Sequence, residues 1–393
     1  MQHRENKFQI GFLGRCNVGK STLINILANQ NISIVSEVRG TTTDVVKKTI
    51  ELTGFGPVIL TDTAGLDDNT PLGKERKLKA WQTISQIDLA VIVISENNFS
   101  LCEEEIIKEC KKYSLPYLII YNKQDLTPIN QTLSDKVSLI LSKKNKYVRE
   151  KLCLLLTNEL KKLSDKNTQP LLNNIVKSTD VVLLVVPIDI SAPKGRLILP
   201  QVKTIREILD QKAIAVTVQP EQLSETINII SEEKISLVIT DSQVFNQVDR
   251  ILPKNIPLTS FSILLAKEKG NFEAYLKGTP VIDDLQDGDK VLILESCTHV
   301  PTCEDIGRVK LPMLLKKYTN KQLIFDIKAG LNNDFLNIEQ YKLVIQCGGC
   351  MATNKQVQSR LGLFIDNNIP VTNYGMAISY ANGIFNRAVK IFL

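Results

Sequence analysis

The feature that most constrains the fold of this chain is a glycine-rich turn directly after a short apolar segment. Residues 8–13 are typical of a buried strand, and they lead into Gly14-Arg15-Cys16-Asn17-Val18-Gly19-Lys20-Ser21, a complete G-x-x-x-x-G-K-S phosphate loop. The glycines let backbone N–H groups wrap phosphates, while Lys20 adds a cation and the Ser21 hydroxyl binds Mg²⁺. A helix beginning at Thr22 offers its positive N-terminus to the anion. Strand, loop and helix together predict an α/β domain that binds a nucleoside triphosphate.

Two candidate switch segments follow this loop. Gly40-Thr41-Thr42-Thr43-Asp44 is expected to respond to the γ-phosphate, and one of its threonines, assigned to Thr42, would complete the Mg²⁺ shell. The strand at residues 58–60 runs into Asp62-Thr63-Ala64-Gly65. Asp62 would reach Mg²⁺ through water, and the Gly65 N–H would contact the γ-phosphate. The expected catalytic residues are Lys20, Thr42, Asp62 and Gly65.

A fourth motif predicts which base is bound. The apolar run at residues 118–121 ends in Asn122-Lys123-Gln124-Asp125. The Asp125 carboxylate can accept both the N1–H and the N2–H₂ of guanine, and adenine offers no such pair of donors, so GTP is expected. The loop that flanks the base stays open between Ser138-Leu139 and Ser142-Lys143. The residues expected to bind the nucleotide and Mg²⁺ are Gly14, Asn17, Val18, Gly19, Lys20, Ser21, Thr22, Asp62, Gly65, Asn122, Lys123 and Asp125, with Thr42 and Ser21 as Mg²⁺ ligands.

These four motifs, in this order, resemble the TrmE/Era-like branch of GTPases. The resemblance implies that Asn17 helps to bind a monovalent cation, usually K⁺, whose charge would stabilise the transition state as an arginine finger does. The alternative role for Asn17 is to stabilise a tight loop. The chain departs from the Ras pattern at Leu66, where no glutamine is present to orient the attacking water. GTP hydrolysis stimulated by K⁺ is therefore expected.

A second group of chemically active residues lies in the last third of the chain. Apolar runs at residues 291–294 and 341–345 are each typical of a buried strand, and they precede Cys297-Thr298-His299 and Gln346-Cys347-Gly348-Gly349-Cys350. The carboxyl ends of parallel strands share one edge of a sheet, so the three cysteines are expected to meet there. This pattern favours a metal site over a redox dithiol or a pair of core thiols.

The identity of the metal stays open from the residues alone. A closed tetrahedral zinc site would use Cys297, His299, Cys347 and Cys350. Three cysteines with a weak or exchangeable fourth ligand would instead suit a [4Fe-4S] cluster. His299 is one of only two histidines in the chain.

The alternation of strands and helices predicts an α/β protein of three domains. Residues 1–166 are expected to form a P-loop GTP-binding domain with a mostly parallel sheet. Residues 167–268 are expected to form a small α/β domain, in which the apolar run 258–264 is a strand. Residues 269–393 would form the α/β domain that carries the metal-binding cysteines.

Composition restricts the setting of the chain. No apolar run approaches the length of a transmembrane helix, and residues 1–9 lack a signal-peptide core. The eight cysteines are not spaced as a disulfide framework, so a reducing, cytoplasmic setting away from membranes is expected. The basic stretch 143–166 is better explained as a solvated helix face than as a nucleic-acid site, because aromatic residues do not interleave with it.

Three further runs accompany the GTPase motifs and the cysteines: Ala192-Pro193-Lys194-Gly195-Arg196-Leu197, residues 305–312, and Asn373-Tyr374-Gly375-Met376. With them, nearly the whole chain resembles the family of [FeFe]-hydrogenase maturation GTPases (HydF). The resemblance implies that Cys297, Cys347 and Cys350 hold a [4Fe-4S] cluster and that the middle domain dimerises, giving a homodimer or a higher homo-oligomer. It also implies a diiron precursor that is received from two radical-SAM maturases and delivered to apo-hydrogenase.

One position departs from that family. Many members have His directly before the Cys-Gly-Gly-Cys, where this chain has Gln346, and an amide is a poor iron ligand. His299, a carboxylate such as Glu304, water or the cargo can fill the fourth site instead. Two rival functions stay open. One is a ribosome-assembly or tRNA-modification GTPase with a structural zinc, and the other is a GTP-regulated redox enzyme that uses Cys347 and Cys350 as a dithiol.

Overall fold

The computed structural model describes most of the chain: residues 8–28, 46–63, 65–66, 81–142, 147–167, 171–172, 174–188, 197–296, 305–331, 335–350 and 352–393. The chain divides into two compact units, Met1–Thr168 and Gln169–Leu393.

The described part of the first unit is built on one six-stranded sheet. Its described elements are β1 (Phe8–Leu13), α1 (Lys20–Ala28), β2 (Val46–Leu52), β3 (Gly56–Asp62), β4 (Leu89–Ile94), α2 (Leu101–Lys112), β5 (Tyr117–Tyr121), α3 (Gln131–Ser134), β6 (Leu139–Ile140) and α4 (Val148–Asn167). The strand order is β2-β3-β1-β4-β5-β6, in which β2 pairs with β3 antiparallel and the other neighbours are parallel. The phosphate loop therefore follows a central strand.

Strand β4 shows why this sheet is covered on both faces. Every residue of β4 is buried, as expected for a central parallel strand without polar alternation. Val91 and Val93 pack in one cluster with α1 and α4, whereas Ile92 and Ile94 pack in another cluster with α2. The continuous apolar run in the sequence thus corresponds to a strand between two helical layers.

Within its described residues, the second unit contains two four-stranded sheets, both parallel. Its described elements are β7 (Val181–Val185), α5 (Leu199–Asp210), β8 (Ile214–Val218), α6 (Leu223–Ile230), β9 (Ile235–Thr240), α7 (Phe245–Ile251), β10 (Leu258–Ser260), α8 (Phe261–Lys269), α9 (Phe272–Gly278), β11 (Lys290–Glu295), α10 (Leu311–Thr319), β12 (Ile324–Ala329), β13 (Tyr341–Gln346), α11 (Asn354–Ile365), β14 (Val371–Asn373), α12 (Tyr374–Ala381) and α13 (Phe385–Val389). The strand orders are β10-β9-β7-β8 and β12-β11-β13-β14. The prediction of an α/β fold is confirmed.

The two sheets of the second unit share one hydrophobic core. Val185 and Val238 of the first sheet belong to the same buried cluster as Leu294 and Val344 of the second, and Ile263 of α8 joins them. The cluster is continuous because α8 directly follows β10 and packs against α11 and α12. The domain boundaries predicted at 166/167 and 268/269 fall in the last turns of α4 and α8 and stay predictions.

The apolar run at residues 258–264 was predicted as one strand, and this prediction was wrong. The strand β10 ends at Ser260, and Phe261 begins α8. The Ser260 hydroxyl caps the new helix by accepting a hydrogen bond from the Ile263 N–H at 3.3 Å. A short apolar run has no periodicity that separates a buried strand from a buried helix, so the change of structure is not visible in the sequence.

The described helices include none with the length and apolar character needed to cross a bilayer.

Candidate functional site

The phosphate loop has the backbone geometry that its glycines require. Gly14 and Gly19 have φ angles of +138° and +103°. A Cβ atom on Gly14 would lie 2.4 Å from the carbonyl oxygen of Val93, and one on Gly19 would lie 2.3 Å from Nδ2 of Asn122. Only glycine fits at these two positions, so the loop can lie close to its neighbouring strands.

Two cations hold the loop in shape. Lys20 is 7% exposed, and its Nζ donates to the carbonyl oxygens of Gly14 and Arg15 at 3.0 and 2.7 Å. Arg15 pairs through Nε with Glu103 at 2.8 Å and through Nη1 with Glu96 at 2.9 Å. Because Glu103 is fully buried at the start of α2, the arginine fastens the loop to that helix.

Asp62 and Ser21 form the candidate Mg²⁺ position. Burial raises the pKa of Asp62, and this effect is opposed by a hydrogen bond from Ser21 and by the charges of Lys20 and Lys48. Within the described residues, Oδ1 of Asp62 is buried and has no hydrogen-bond partner. A buried, partly unpartnered carboxylate beside a hydroxyl fits a hydrated divalent cation, which would restore the stability of the ionised form.

The guanine motif is tied to the phosphate loop. Asn122 is 8% exposed, and its Nδ2 donates to the carbonyl oxygen of Val18 at 2.9 Å. Lys123 has a φ of +61° and donates from Nζ to the carbonyl oxygen of Asn17 at 2.5 Å. These contacts place the exposed Asp125 at a defined position relative to the loop.

The position of Ser142 bears on the open question of the base-flanking loop. Its hydroxyl donates to Oδ1 of Asp125 at 3.0 Å, and the N–H of Gln124 donates to the carbonyl oxygen of the preceding Leu141 at 3.1 Å. Ser138 instead contacts β5, where its Oγ accepts a hydrogen bond from the Ile119 N–H at 3.3 Å. Of the two candidate segments, the one at Ser142 therefore contacts the guanine motif.

The other residues expected at the nucleotide site differ in their surroundings, and one of them is not described by the structure. A Cβ on Gly65 would lie 2.7 Å from the backbone nitrogen of Cys16, so this glycine lies directly against the phosphate loop. Leu66 is fully buried and is a core residue. Asn17 has a φ of +60°, a conformation that asparagine tolerates. Thr42 lies outside the described residues, and Thr22 is exposed on the first turn of α1.

The second site begins where β13 ends. Leu294 of β11 pairs with Gln346 of β13, and the Cys347 N–H donates to the Leu294 carbonyl oxygen at 2.9 Å. The segment after β11 and the Cys-Gly-Gly-Cys loop therefore emerge together at one sheet edge, as the parallel pairing requires. Cys347 and Cys350 are of intermediate exposure, and Gly349 between them has a φ of +62°. Cys297 and His299 lie outside the described residues.

The sulfur of Cys347 is surrounded by hydrogen-bonding groups. The Ser296 N–H donates to this sulfur at 3.2 Å, and Nε2 of Gln346 lies 3.4 Å from it. The Ser296 hydroxyl lies 3.4 Å from the same sulfur. Hydrogen bonds to a sulfur are among the features that tune a metal centre bound through that sulfur.

Gln346 lies beside the thiol as a donor. It is 1% exposed, and its Nε2 donates to the Ser296 hydroxyl at 2.9 Å and to the Cys347 carbonyl oxygen at 3.1 Å. Because the carbonyl can only accept, the amide nitrogen must face the loop. The amide oxygen, Oε1, is buried and has no hydrogen-bond partner in the described part of the chain. The side chain thus supports Cys347.

A buried lysine lies under the loop, and sequence reasoning missed it. Lys269 is 2% exposed, and its Nζ donates to the carbonyl oxygens of Gly349 and Ala352 at 2.9 Å each and to that of Cys350 at 3.4 Å. Burial lowers the pKa of Lys269 to about 8, while the charges of Glu268, Cys350 and Cys347 act in the opposite direction. A buried ammonium is thus held by carbonyl oxygens of the loop that carries both cysteines.

These contacts place hydrogen-bond donors around the cysteine loop. The Ser296 N–H reaches the Cys347 sulfur, and the Lys269 ammonium reaches the carbonyl oxygens of the loop. Among the described residues no group of three or more His, Cys, Asp or Glu side chains could hold a metal ion. Of the predicted ligands, the structure describes two, Cys347 and Cys350. A [4Fe-4S] cluster would take Cys297 as its third cysteine.

Family models match nearly the full length of the chain. Residues 9–123 match a 50S ribosome-binding GTPase, residues 171–270 match the hydrogen maturase F dimerization domain, and residues 273–391 match the hydrogen maturase F tetramerization domain. The predictions of a GTPase domain, with GTP and Mg²⁺ as its cofactors, are confirmed.

Two curated relatives are each similar to about a third of this chain. The mitochondrial tRNA modification GTPase mss1 of Schizosaccharomyces pombe is 38% identical over 34% of this chain and 29% of its own length. The tRNA modification GTPase MnmE of Hydrogenovibrio crunogenus is 35% identical over 31% of this chain and 27% of its own length. The chain therefore spans less than a third of the length of either relative.

Solved structures add only weak likenesses. The structure of a point variant of Aquifex aeolicus Era bound to GDP·AlF4⁻ aligns with a TM-score of 0.32 and 17% identity, over 57% of this chain and 99% of Era. The G domain of the T. maritima FeoB iron transporter aligns with a TM-score of 0.28 and 16% identity, over 41% of this chain and 98% of that domain. The assignment rests on the family models, and the chain belongs to the hydrogen maturase F family, the [FeFe]-hydrogenase maturation GTPases.

Proposed function

We propose that this protein is a GTP-hydrolysing carrier in [FeFe]-hydrogenase maturation, which holds a [4Fe-4S] cluster on Cys297, Cys347 and Cys350. The observation that supports the cluster most directly is the loop at Cys347 and Cys350, which has hydrogen-bond donors around one sulfur and a buried ammonium beneath it. The cargo would be a diiron precursor, received from radical-SAM maturases and delivered to apo-hydrogenase. When bound, the cluster supplies iron with a replaceable coordination position.

The residues of the chain divide the work between two sites. Lys20, Ser21 and Asp62 are proposed to bind the phosphates and Mg²⁺, with Gly65 at the γ-phosphate and Thr42 completing the Mg²⁺ shell. At the other site, Gln346 is proposed to orient Cys347, since its amide lies within hydrogen-bond distance of that sulfur. The fourth iron ligand would then come from another group, such as His299 or the cargo.

The two sites are proposed to be coupled through nucleotide state. GTP would order residues 40–44 and 62–65, and hydrolysis would release them. A coupling of about 1–3 kcal/mol is enough to change partner affinity usefully. The dimerization and tetramerization domains support a homo-oligomer. The cytoplasmic location stays a prediction.

The rival function of tRNA modification has one supporting observation, the partial identity of this chain to tRNA modification GTPases. That identity covers about a third of this chain, whereas the second unit, which carries the cysteine loop, matches hydrogen maturase F. The rival with a structural zinc would give a colourless protein, and the carrier would be brown.

The cluster assignment predicts that some cysteines are required for iron binding and that others are not. In anaerobically purified protein, Cys347→Ser, Cys350→Ser and Cys297→Ser should each reduce iron to near background, because each removes a thiolate ligand. Cys153→Ser is the matched control, since Cys153 has a similar intermediate exposure and lies on α4, without metal spacing. Iron analysis and electron paramagnetic resonance measure the outcome. Zinc in place of iron, or iron unchanged in the three variants, would refute the assignment.

The guanine assignment predicts a change of base preference. Asp125→Asn should weaken GTP binding by about tenfold or more, because a charged acceptor of two guanine donors is lost. The same variant should gain affinity for xanthosine triphosphate, whose 2-oxo group can accept from the amide. Asp135→Asn, an exposed aspartate at the end of α3, is the control. Equal GTP affinity in both variants, measured by fluorescence titration, would show that Asp125 does not read the base.

The cation assignment predicts a salt-specific rate. GTP turnover should be faster in K⁺ than in Na⁺. Asn17→Gly should lower the turnover rate in K⁺ by about tenfold or more, which is the effect expected when one electrostatic contact to a transition state is lost. Glycine keeps the φ of +60° without strain, so the variant deletes only the side chain. Turnover that is the same in both salts for the unaltered chain would contradict the role of K⁺.

A further inference from the structure

The Lys269 ammonium is a buried charge beneath the cysteine loop, and the proposed function assigns it no role of its own. It donates to the carbonyl oxygens of Gly349, Cys350 and Ala352, which span the second half of the cysteine loop and the residues just after it. Ala352 also donates its N–H to the Gly349 carbonyl oxygen at 3.0 Å, which closes the turn. The single ammonium group of Lys269 therefore contacts the carbonyl oxygens of Gly349, Cys350 and Ala352 at the same time.

Burial of this ammonium needs an electrostatic reason. Removing a lysine head group from water carries a large desolvation penalty, and carbonyl dipoles offset only part of it. The Glu268 carboxylate acts on Lys269 in the stabilising direction, Lys203 acts in the opposite direction, and Cys350 and Cys347 add smaller stabilising contributions. The three carbonyl contacts are therefore the main local compensation that the cysteine loop gives to the ammonium.

The position of Lys269 is determined by the helix that it ends. Lys269 is the last residue of α8, and its neighbour Glu268 forms an ion pair with Lys203 of α5. The Glu268 carbonyl oxygen accepts from Nδ2 of Asn354, the first residue of α11. The end of α8 is thereby fastened both to α5, which lies in the region that matches the dimerization domain, and to the helix that follows the cysteine loop.

We infer that Lys269 is a positioning residue of the metal site, which holds the Gly349–Ala352 turn in shape and offsets the negative charge of Cys347 and Cys350. This inference rests on the proposed function, in which these thiols bind iron. A cation next to an iron–sulfur centre favours the more negative, reduced form, so Lys269 would raise the reduction potential of a cluster bound there. Because Lys269 is the last residue of α8, its hydrogen bonds also hold the loop against the end of that helix.

The test compares Lys269→Met with Lys269→Arg and with Lys277→Met, which replaces an exposed lysine of α9. Hydrogen exchange of residues 347–352 is measured in metal-free protein, and the reduction midpoint is measured in iron-loaded protein by a dithionite titration followed by electron paramagnetic resonance. We expect Lys269→Met to speed exchange in the loop about tenfold or more and to shift the midpoint to more negative potential. The control should match the unaltered chain in both measurements.

The outcomes separate this inference from the function beneath it. If the unaltered chain binds no iron, the proposed function fails, and the exchange measurement still tests the positioning role. If iron binds and Lys269→Met leaves both loop exchange and midpoint unchanged, the inference is overturned. Should Lys269→Met not fold by circular dichroism, Lys269→Arg decides, because it retains the charge but cannot reproduce three ammonium contacts. For that variant, faster loop exchange with a retained midpoint supports the inference, and unchanged exchange overturns it.

Discussion

The parallel pairing of β11 with β13 is the constraint on which the metal site depends. It places Leu294 opposite Gln346, so both strands end at the same edge of the sheet and the Ser296 N–H nitrogen comes within 3.2 Å of the Cys347 sulfur. An antiparallel pairing would send the two following segments to opposite edges. Sequence positions that are about fifty residues apart can therefore contribute to one centre only because the connection between these strands crosses over.

A common device serves both sites of the chain. In the first unit, Lys20 is 7% exposed and donates to two carbonyl oxygens of the phosphate loop. In the second unit, Lys269 is 2% exposed and donates to three carbonyl oxygens around the cysteine loop. Each loop is glycine-rich and follows a parallel strand. In each unit a buried cation therefore lies beside a position where negative charge is proposed. In the first unit this charge is the phosphate of the nucleotide, and in the second it is that of the metal-bound cysteines.

Much of this arrangement could be predicted from the sequence, because a motif that directly follows a parallel strand is expected to lie at the carboxyl edge of the sheet. The four GTPase motifs and the Cys-Gly-Gly-Cys loop were predicted in this way, and the α/β fold is confirmed. Lys269 could not be predicted, since it looks like an ordinary basic residue at the end of a helix and gains its role from tertiary packing. Gln346 was recognised as a poor iron ligand, but its hydrogen bonds to Ser296 and the Cys347 sulfur required the structure. The division of 258–264 between β10 and α8 was missed because apolar runs carry no periodicity.

The central claim is that three thiolates and one different group hold iron in this chain. Mössbauer spectroscopy of ⁵⁷Fe-enriched, anaerobically purified protein tests it most directly. The account predicts the signature of a [4Fe-4S] cluster in which one iron site differs from the other three, because three irons would carry a cysteine thiolate and the fourth a different ligand. A protein without iron, or a cluster with four equivalent iron sites, would contradict the account.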